Sequence, residues 1–338
     1  MRLHNEIELD YDDVLMLPKH STLISRNEVS LLRKFKTPYG EMEFLPVLAA
    51  NMYNTGSLAM GNTLDKFNMG IAYHKFIEHK SNEIVRNSFF SIGMKDKDLL
   101  SLEDYMNISY YNQVYNICID VANGHQESFP EFVKTVRNKY PGAFIMAGNV
   151  VTGSMTEQLI LAGADIVKIG IGPGSLCKTR LITGCGRPQF SAITECADAA
   201  HGMNKYICAD GGIKNVGDIA KAFGGNADMV MVGGLFMGYE ENDGEWTTRY
   251  DSFISDYVKC QLKCFGMSSK EAQEQFNGGL ADYRASEGEC QLIDYKGSVN
   301  EFCKEIRGGL ASACTYIGAR SIKDMGKCAE FVRVNRIK

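Results

Sequence analysis

The sequence predicts an α/β fold, a (β/α)8 barrel, and three observations carry that expectation. Eight short runs, 46–51, 70–74, 115–122, 143–150, 165–170, 205–212, 228–234 and 312–318, are nearly continuous in apolar or small residues. Strands covered on both faces have that composition. Amphipathic segments at 129–139, 154–162, 191–201 and 215–223 are interleaved with them, as crossover helices would be. Polar residues gather just past the run ends, at Asn51, His74, Lys75, Asp120, Asn123, Asn149, Cys177, Asp210 and Gly233. That is the face on which barrels carry their sites.

No linker or low-complexity tract divides the 338 residues, so 1–338 is expected to be a single barrel domain. One stretch departs from the alternation. Residues 235–291 are polar, charged and turn-rich, and are expected to form a long mobile loop after strand seven that acts as an active-site flap. The net charge of −5 and a pI near 5.8, with no compensating basic run, argue against a nucleic-acid binder. Residues 1–11 are too polar for a secretory signal, and the apolar runs are of strand length, so no membrane association is expected. Eleven cysteines scattered through apolar runs fit reduced thiols in the cytoplasm better than a disulfide framework. Cys260 and Cys264 are four apart with no second ligand pair nearby, which is poor support for zinc.

The run 165–170 leads into Gly-Ile-Gly-Pro-Gly-Ser-Leu-Cys-Lys-Thr-Arg (170–180). Glycine lets backbone approach a ligand, Ser175 is able to donate to a phosphate, and Cys177 is a candidate nucleophile. By itself the pattern describes a tight strand-to-helix turn equally well. Two further glycine pairs follow, Asp210-Gly211-Gly212 and Gly233-Gly234, in register with the first. Loops late in a barrel commonly bind phosphate because backbone amides point at the anion. Asp210 beside them is suited to ribose hydroxyls, or to capping a helix. A cysteine nucleophile needs help to ionise; the loop amides and Arg180 are the candidates, while Cys185 is expected to be a packing residue.

These motifs, with Gly-x-Pro-Gln (186–189), Ser-Ala-x-x-Glu-Cys-Ala-Asp-Ala-Ala-His (191–201), Ala-Phe-Gly-Gly-x-Ala-Asp (222–228) and Tyr-Asp-Asp-Val-Leu-x-x-Pro (11–18), resemble the IMP dehydrogenase/GMP reductase family from about residue 11 to 334. Phe-Gly-Met-Ser-Ser (265–269) and Tyr-Arg-Ala-Ser-Glu-Gly (283–288) match its GMP reductase branch. The dehydrogenase branch usually carries an Arg-Tyr pair on the flap and a large inserted regulatory tandem domain of the CBS type, and this chain shows neither.

The resemblance implies reductive deamination of GMP to IMP. Cys177 would attack purine C2, giving a thioimidate with loss of ammonia, and NADPH would supply hydride. Thr179 and Glu287 would transfer the proton. The phosphate would lie on Ser175, Gly211, Gly212, Gly233 and Gly234, the ribose on Asp210, and the base against Gly266, Met267 and Ser268, with Arg284 and Ser286 from the flap. NADPH would contact Lys75, Asp120, Val121, Ala122, Tyr283, Arg284, Ser312, Ala313, Cys314 and Thr315 in one subunit, and Ser25 and Arg26 from a neighbour, which implies a homo-oligomer, in this family a homotetramer. Carbonyls of Gly172, Gly174 and Cys177 resemble the family's potassium site. The alternatives are an IMP dehydrogenase, oxidising IMP to XMP with NAD, and a non-catalytic purine-nucleotide sensor, although a sensor needs none of Cys177, Thr179 and Glu287. The chain departs from the family at Tyr53, where an aspartate is usual, at Lys178, at Ala311, and in a long segment 239–264 bearing Tyr239, Trp246, Tyr250, Phe253 and Tyr257.

Overall fold

The computed structural model describes residues 3–77, 84–112, 116–253 and 255–335. Eight parallel strands form a closed barrel: β1 (Gly40–Ala49), β2 (Met69–Tyr73), β3 (Ser88–Ile92), β4 (Asn116–Asp120), β5 (Phe144–Val150), β6 (Ile166–Ile169), β7 (Tyr206–Asp210) and β8 (Met229–Val232). Closure comes from β8 pairing with β1, Val230 with Val47 and Val232 with Ala49. A strand at Arg33–Thr37 pairs antiparallel with the start of β1. Its Phe35, with Met42 and Phe44 of β1, is buried in the same apolar cluster as the barrel interior.

Helices α1 (Leu58–Asp65), α2 (Asp96–Asn112), α3 (Ser128–Lys139), α4 (Gly153–Leu161), α5 (Gln189–Gly202) and α6 (Val216–Gly224) follow β1 and then β3 to β7. Several start where a polar side chain satisfies an orphan amide. Ser57, Thr152 and Asn215 accept from the N–H of Met60, Met155 and Asp218 respectively. After β8 the chain makes strands β9 (Trp246–Asp251) and β10 (Asp256–Phe265), helix α7 (Lys270–Asn277) and strand β11 (Cys290–Asp294), then α8 (Asn300–Ile317). Two apolar layers result. One, around Phe89, Phe144, Met146 and Met231, fills the barrel; the other lies between barrel and helices. No helix among the described residues is long and apolar enough to cross a membrane.

Seven of the eight expected strands are present, although Tyr115, expected to open one of them, lies outside the described residues. The run 312–318 is the exception: it is the last turn of α8, not a strand. Gly308 and Gly309 sit inside the helix. A Cβ on Gly309 would come within 2.5 Å of Val216, so the glycine allows α8 to lie close against α6. The missing strand is β3, whose Ser88 and Ser91 interrupt its apolar run. Two corrections follow in strand count. The Gly-Pro-Gly-Ser-x-Cys loop follows β6 rather than a fifth strand, and residues 235–291 follow strand eight rather than strand seven. Nor is 235–291 a bare loop, because β9, β10 and β11 form a three-stranded antiparallel sheet. Its irregular aromatic spacing reflects a bulge between Thr247 and Thr248 and the cross-strand pair Tyr250–Tyr257.

Candidate active site

The polar ends of β4, β6 and β7 meet at the top of the barrel interior. Within each strand the inward positions alternate, so Cys118, Ile166 and Cys208 belong to the apolar filling and Asp120, Lys168 and Asp210 lie one step above. Lys168 is 2% exposed, and its Nζ lies 2.6 Å from Asp120 Oδ1 and 2.5 Å from Asp210 Oδ2. Burial opposes that charge, yet the two carboxylates hold the lysine well above its ordinary pKa. Burial likewise works to raise the pKa of Asp120, and Lys168, Asn51 and Lys75 more than offset it, so the carboxyl titrates below its usual range.

Above this layer opens a cavity of about 400 Å³. One wall is the loop after β6. Gly170 and Gly172 adopt positive φ of 146° and 79°, and the Cys177 N–H closes a turn on Gly174 O at 3.0 Å. The facing walls are Gly211–Gly212 after β7 and Gly233–Gly234 after β8. These loops touch: a Cβ on Gly234 would meet Ser175 Oγ at 2.6 Å, and one on Gly211 would meet Pro173 at 2.9 Å. Among the described residues the backbone N–H groups of Ser175, Gly212 and Gly234 have no hydrogen-bond acceptor, leaving three donors for an anion.

The fourth wall is the segment between β10 and β11. Residues 287–289 run antiparallel to 176–178, with Lys178 N–H on Glu287 O at 2.7 Å and Glu289 N–H on Leu176 O at 2.9 Å. That pairing delivers the Glu287 carboxylate to the cysteine loop. Thr179 Oγ1 donates to Glu287 Oε2 at 2.7 Å, and Cys177 Sγ donates to Thr179 Oγ1 at 3.3 Å. Two close neighbours on the cysteine loop and one flap residue 108 positions beyond Thr179 therefore make one hydrogen-bonded line at the cavity wall. Gly266, Met267, Ser268 and Arg284 line the same cavity, and Ser286 Oγ braces the flap by accepting from Lys270 N–H and donating to Gly288 O.

Other cysteines differ from Cys177 in surroundings. Burial pushes the thiols of Cys118, Cys196, Cys264, Cys303 and Cys314 up to about 12, which keeps them protonated. Cys185 is exposed and does not line the cavity. Arg180, expected to favour the Cys177 thiolate, is turned elsewhere. Its guanidinium binds Asp10, Ile171 O and Arg187 O, and its stem fills the space beside Gly172 and Gly186. Lys178 pairs with Glu289 at 3.4 Å and so ties flap to loop.

Lys75, Asp120, Val121 and Ala122 line the far end of the cavity. Ser312, Ala313, Cys314 and Thr315 do not; they lie on α8 with Cys314 fully buried. The turn Arg26–Glu28, capped by Ser25, packs against that same helix. Both groups thus belong to a face of the chain outside the cavity lining. Tyr283 is 85% exposed beside Arg284. Tyr53 packs between Phe265, stacked at 5.9 Å, and Phe276 of α7 at 5.2 Å, and Phe276 stacks on Phe76 at 4.1 Å. Sequence reasoning omitted Lys168 from the site; a lysine inside an otherwise apolar strand, which must be paired if buried, was the available signal.

A family model described as the IMP dehydrogenase / GMP reductase domain matches residues 91–337. The chain is 46% identical over 346 residues to a GMP reductase of Buchnera aphidicola subsp. Schizaphis graminum, covering 99% of this chain and 97% of that relative. GMP reductases of Aliivibrio salmonicida and Shewanella halifaxensis are each 44% identical over 345 residues, with the same coverage.

Proposed function

The chain belongs to the IMP dehydrogenase/GMP reductase family, and from that membership we propose that it catalyses NADPH-dependent reductive deamination of GMP to IMP with release of ammonia. The observation that carries this reading is the Cys177–Thr179–Glu287 line, at 3.3 and 2.7 Å, on a flap paired with the cysteine loop. An amine is a poor leaving group unless it is protonated, and a thiol is a poor nucleophile unless it is deprotonated. One line of hydrogen bonds meets both needs. As the Cys177 sulfur bonds to purine C2, its proton passes through Thr179 and Glu287 to the departing amine, which leaves as ammonia. The product of that step is a thioimidate. NADPH, when bound, supplies hydride to C2. The Cys177 sulfur then leaves C2 and regains a proton, so that GMP, NADPH and one proton yield IMP, NADP and ammonia.

The phosphate of GMP takes the free N–H groups of Ser175, Gly212 and Gly234, with Gly211 and Gly233 allowing close approach. Asp210 takes the ribose, and Gly266, Met267 and Ser268 take the base, with Arg284 and Ser286 completing the flap side. Lys75, Asp120, Val121, Ala122 and Arg284 would hold NADPH, with the cations Lys75 and Arg284 suited to its extra ribose phosphate. Tyr283, beside Arg284, adds to that subunit's contacts, and Ser25 and Arg26, with Ser312–Thr315 of the helix they pack against, would reach the remainder from a neighbouring copy in a homotetramer. Gly172, Gly174 and Cys177 fit potassium in kind, because one closed turn offers neutral carbonyl oxygens. The ion would stiffen the turn that carries the nucleophile. We take the 338 residues as one catalytic unit working in the cytoplasm, with 235–291 as its flap.

The test is turnover. Wild-type protein with GMP and NADPH should consume reduced cofactor and release ammonia in equal amounts, and Cys177→Ala should do neither. Oxidation of IMP with NAD in place of that reaction would overturn the assignment, as would nucleotide binding with no turnover.

A further inference from the structure

Lys168 is used by neither the phosphate cradle nor the proton line, yet it is the most deeply buried charge in the cavity wall. Its position on β6 puts it between β5 and β7, opposite Gly148 and Cys208. A Cβ on Gly148 would fall 2.6 Å from Lys168 Cβ, so the neighbouring strand is hollowed to admit the lysine stem. Asp210 Oδ2 accepts from Lys168 at 2.5 Å and from Asn149 Nδ2 at 3.0 Å. Its Oδ1 has no donor among the described residues. One oxygen is therefore anchored and the other is presented to the cavity. The same ammonium holds Asp120 Oδ1 on the opposite side.

We propose that Lys168 is a positioning residue: its ammonium, shared by Asp210 and Asp120, aims the free oxygen of Asp210 at the sugar of the nucleotide and links that carboxylate to the cofactor side of the cavity. This rests on the GMP reading above and adds a residue to it. A carboxylate left without its cation in a buried wall swings to find other donors or takes up a proton, and in both cases it loses its aim. The titratable groups around Lys168 are Asp120 from β4, Asp210 from β7, the thiols of Cys118 and Cys208 beneath them, and Lys75 beyond Asp120. The thiols are held protonated by burial, so the two carboxylates are the groups that respond to loss of the lysine.

The experiment is calorimetric titration of GMP into cofactor-free protein across about pH 5–8. Loss of this charge-assisted bond should weaken GMP binding roughly tenfold or more in Lys168→Met. The GMP phosphate itself titrates at about pH 6 and adds the same slope to every variant. The readout is therefore the ratio of variant to wild-type Kd, which should grow as pH drops because a carboxylate that has lost its cation in a buried wall takes up a proton more readily. Lys168→Met leaves two carboxylates unpaired and risks misfolding. The double variant Lys168→Met/Asp120→Asn retains only one of them and should show the same weakening and the same growth of the Kd ratio toward low pH, and Lys168→Arg should return that ratio to a pH-independent value close to that of wild type. Variant affinities within twofold of wild type overturn the proposal, and so does a weakening whose size relative to wild type is the same at every pH. Failure of the wild-type protein itself to bind GMP would sink the functional reading instead.

Discussion

Cys177 shares its residue type with ten other positions, and the difference lies in its company. Burial keeps the proton on sulfur in the buried cysteines of the barrel, whereas Cys177 lines the cavity and has a hydroxyl at 3.3 Å that is itself bonded to a carboxylate. Removing the middle of that line is therefore informative. Thr179→Ala should lower kcat by about 10²–10⁴-fold, the usual range for a lost proton-transfer group, while leaving the Kd for GMP nearly unchanged. Steady-state kinetics and equilibrium binding on the same preparation check this. Glu287→Gln keeps the shape and removes the base, and should match Thr179→Ala in kcat; the double variant should be no slower than either single, because both cut one line. The residues of this line were legible in the sequence through their motifs. Lys168 and Asn149 were not assigned roles, because their significance depends on which side of a strand faces the barrel axis.

Elements were legible to the extent that their local chemistry agreed with their place in the fold. Strands covered on both faces announce themselves by continuous apolar composition, and seven of eight did so. β3 did not, because Ser88 spends its hydroxyl on Val85 O and Ser91 lines the cavity, two local uses that break the apolar run. Residues 312–318 have the apolar and small composition of a covered strand, yet 312–317 close α8, whose close approach to α6, permitted by Gly309, is a tertiary feature invisible to the local pattern. The flap was visible as a change in composition, but its sheet was not, since antiparallel pairing of β9, β10 and β11 depends on partners far apart in sequence. Helix α7 is held over the cavity mouth by Phe276, which stacks on Phe76 at 4.1 Å and packs on Tyr53 at 5.2 Å. Aromatic pairs of this kind contribute about 0.5–1.5 kcal/mol each. Phe276→Ala should therefore reduce the closed population of the flap several-fold, raising KM and lowering kcat together, with little change in Tm. A Tm falling in parallel with activity would mean that the cluster is structural instead.

At the scale of the molecule, the two ends of the barrel divide the work. The strand C-termini carry the cavity, and the opposite end carries a buried charge network in which Asp228 accepts from Arg33, from His201 Nε2 and from the Ile207 N–H. The hydrogen bond to Asp228 is the main reason that the pKa of His201 lies above its ordinary value. A raised histidine stabilises the fold fully below its unfolded pKa of about 6.5, and that contribution disappears as pH rises through the folded value. Wild-type Tm should therefore decline over that upward window, and His201→Gln should flatten this part of the profile; a decline of equal size in the variant would assign the pH dependence elsewhere. On the proposal that the face bearing Ser25, Arg26 and α8 completes the NADPH site of a neighbouring copy, Arg26→Ala should raise KM for NADPH and leave KM for GMP unchanged, with the assembly state followed by gel filtration.

The central claim is that Cys177 carries the purine covalently while the Thr179–Glu287 line handles the proton. Acid quenching of the enzyme during turnover of GMP and NADPH, followed by peptide mapping by mass spectrometry, tests it most directly. The account predicts a purine nucleotide, lacking its amine nitrogen, attached to the peptide containing Cys177. A turning-over enzyme with the Cys177 peptide unmodified, and Cys177→Ala still releasing ammonia, would contradict it.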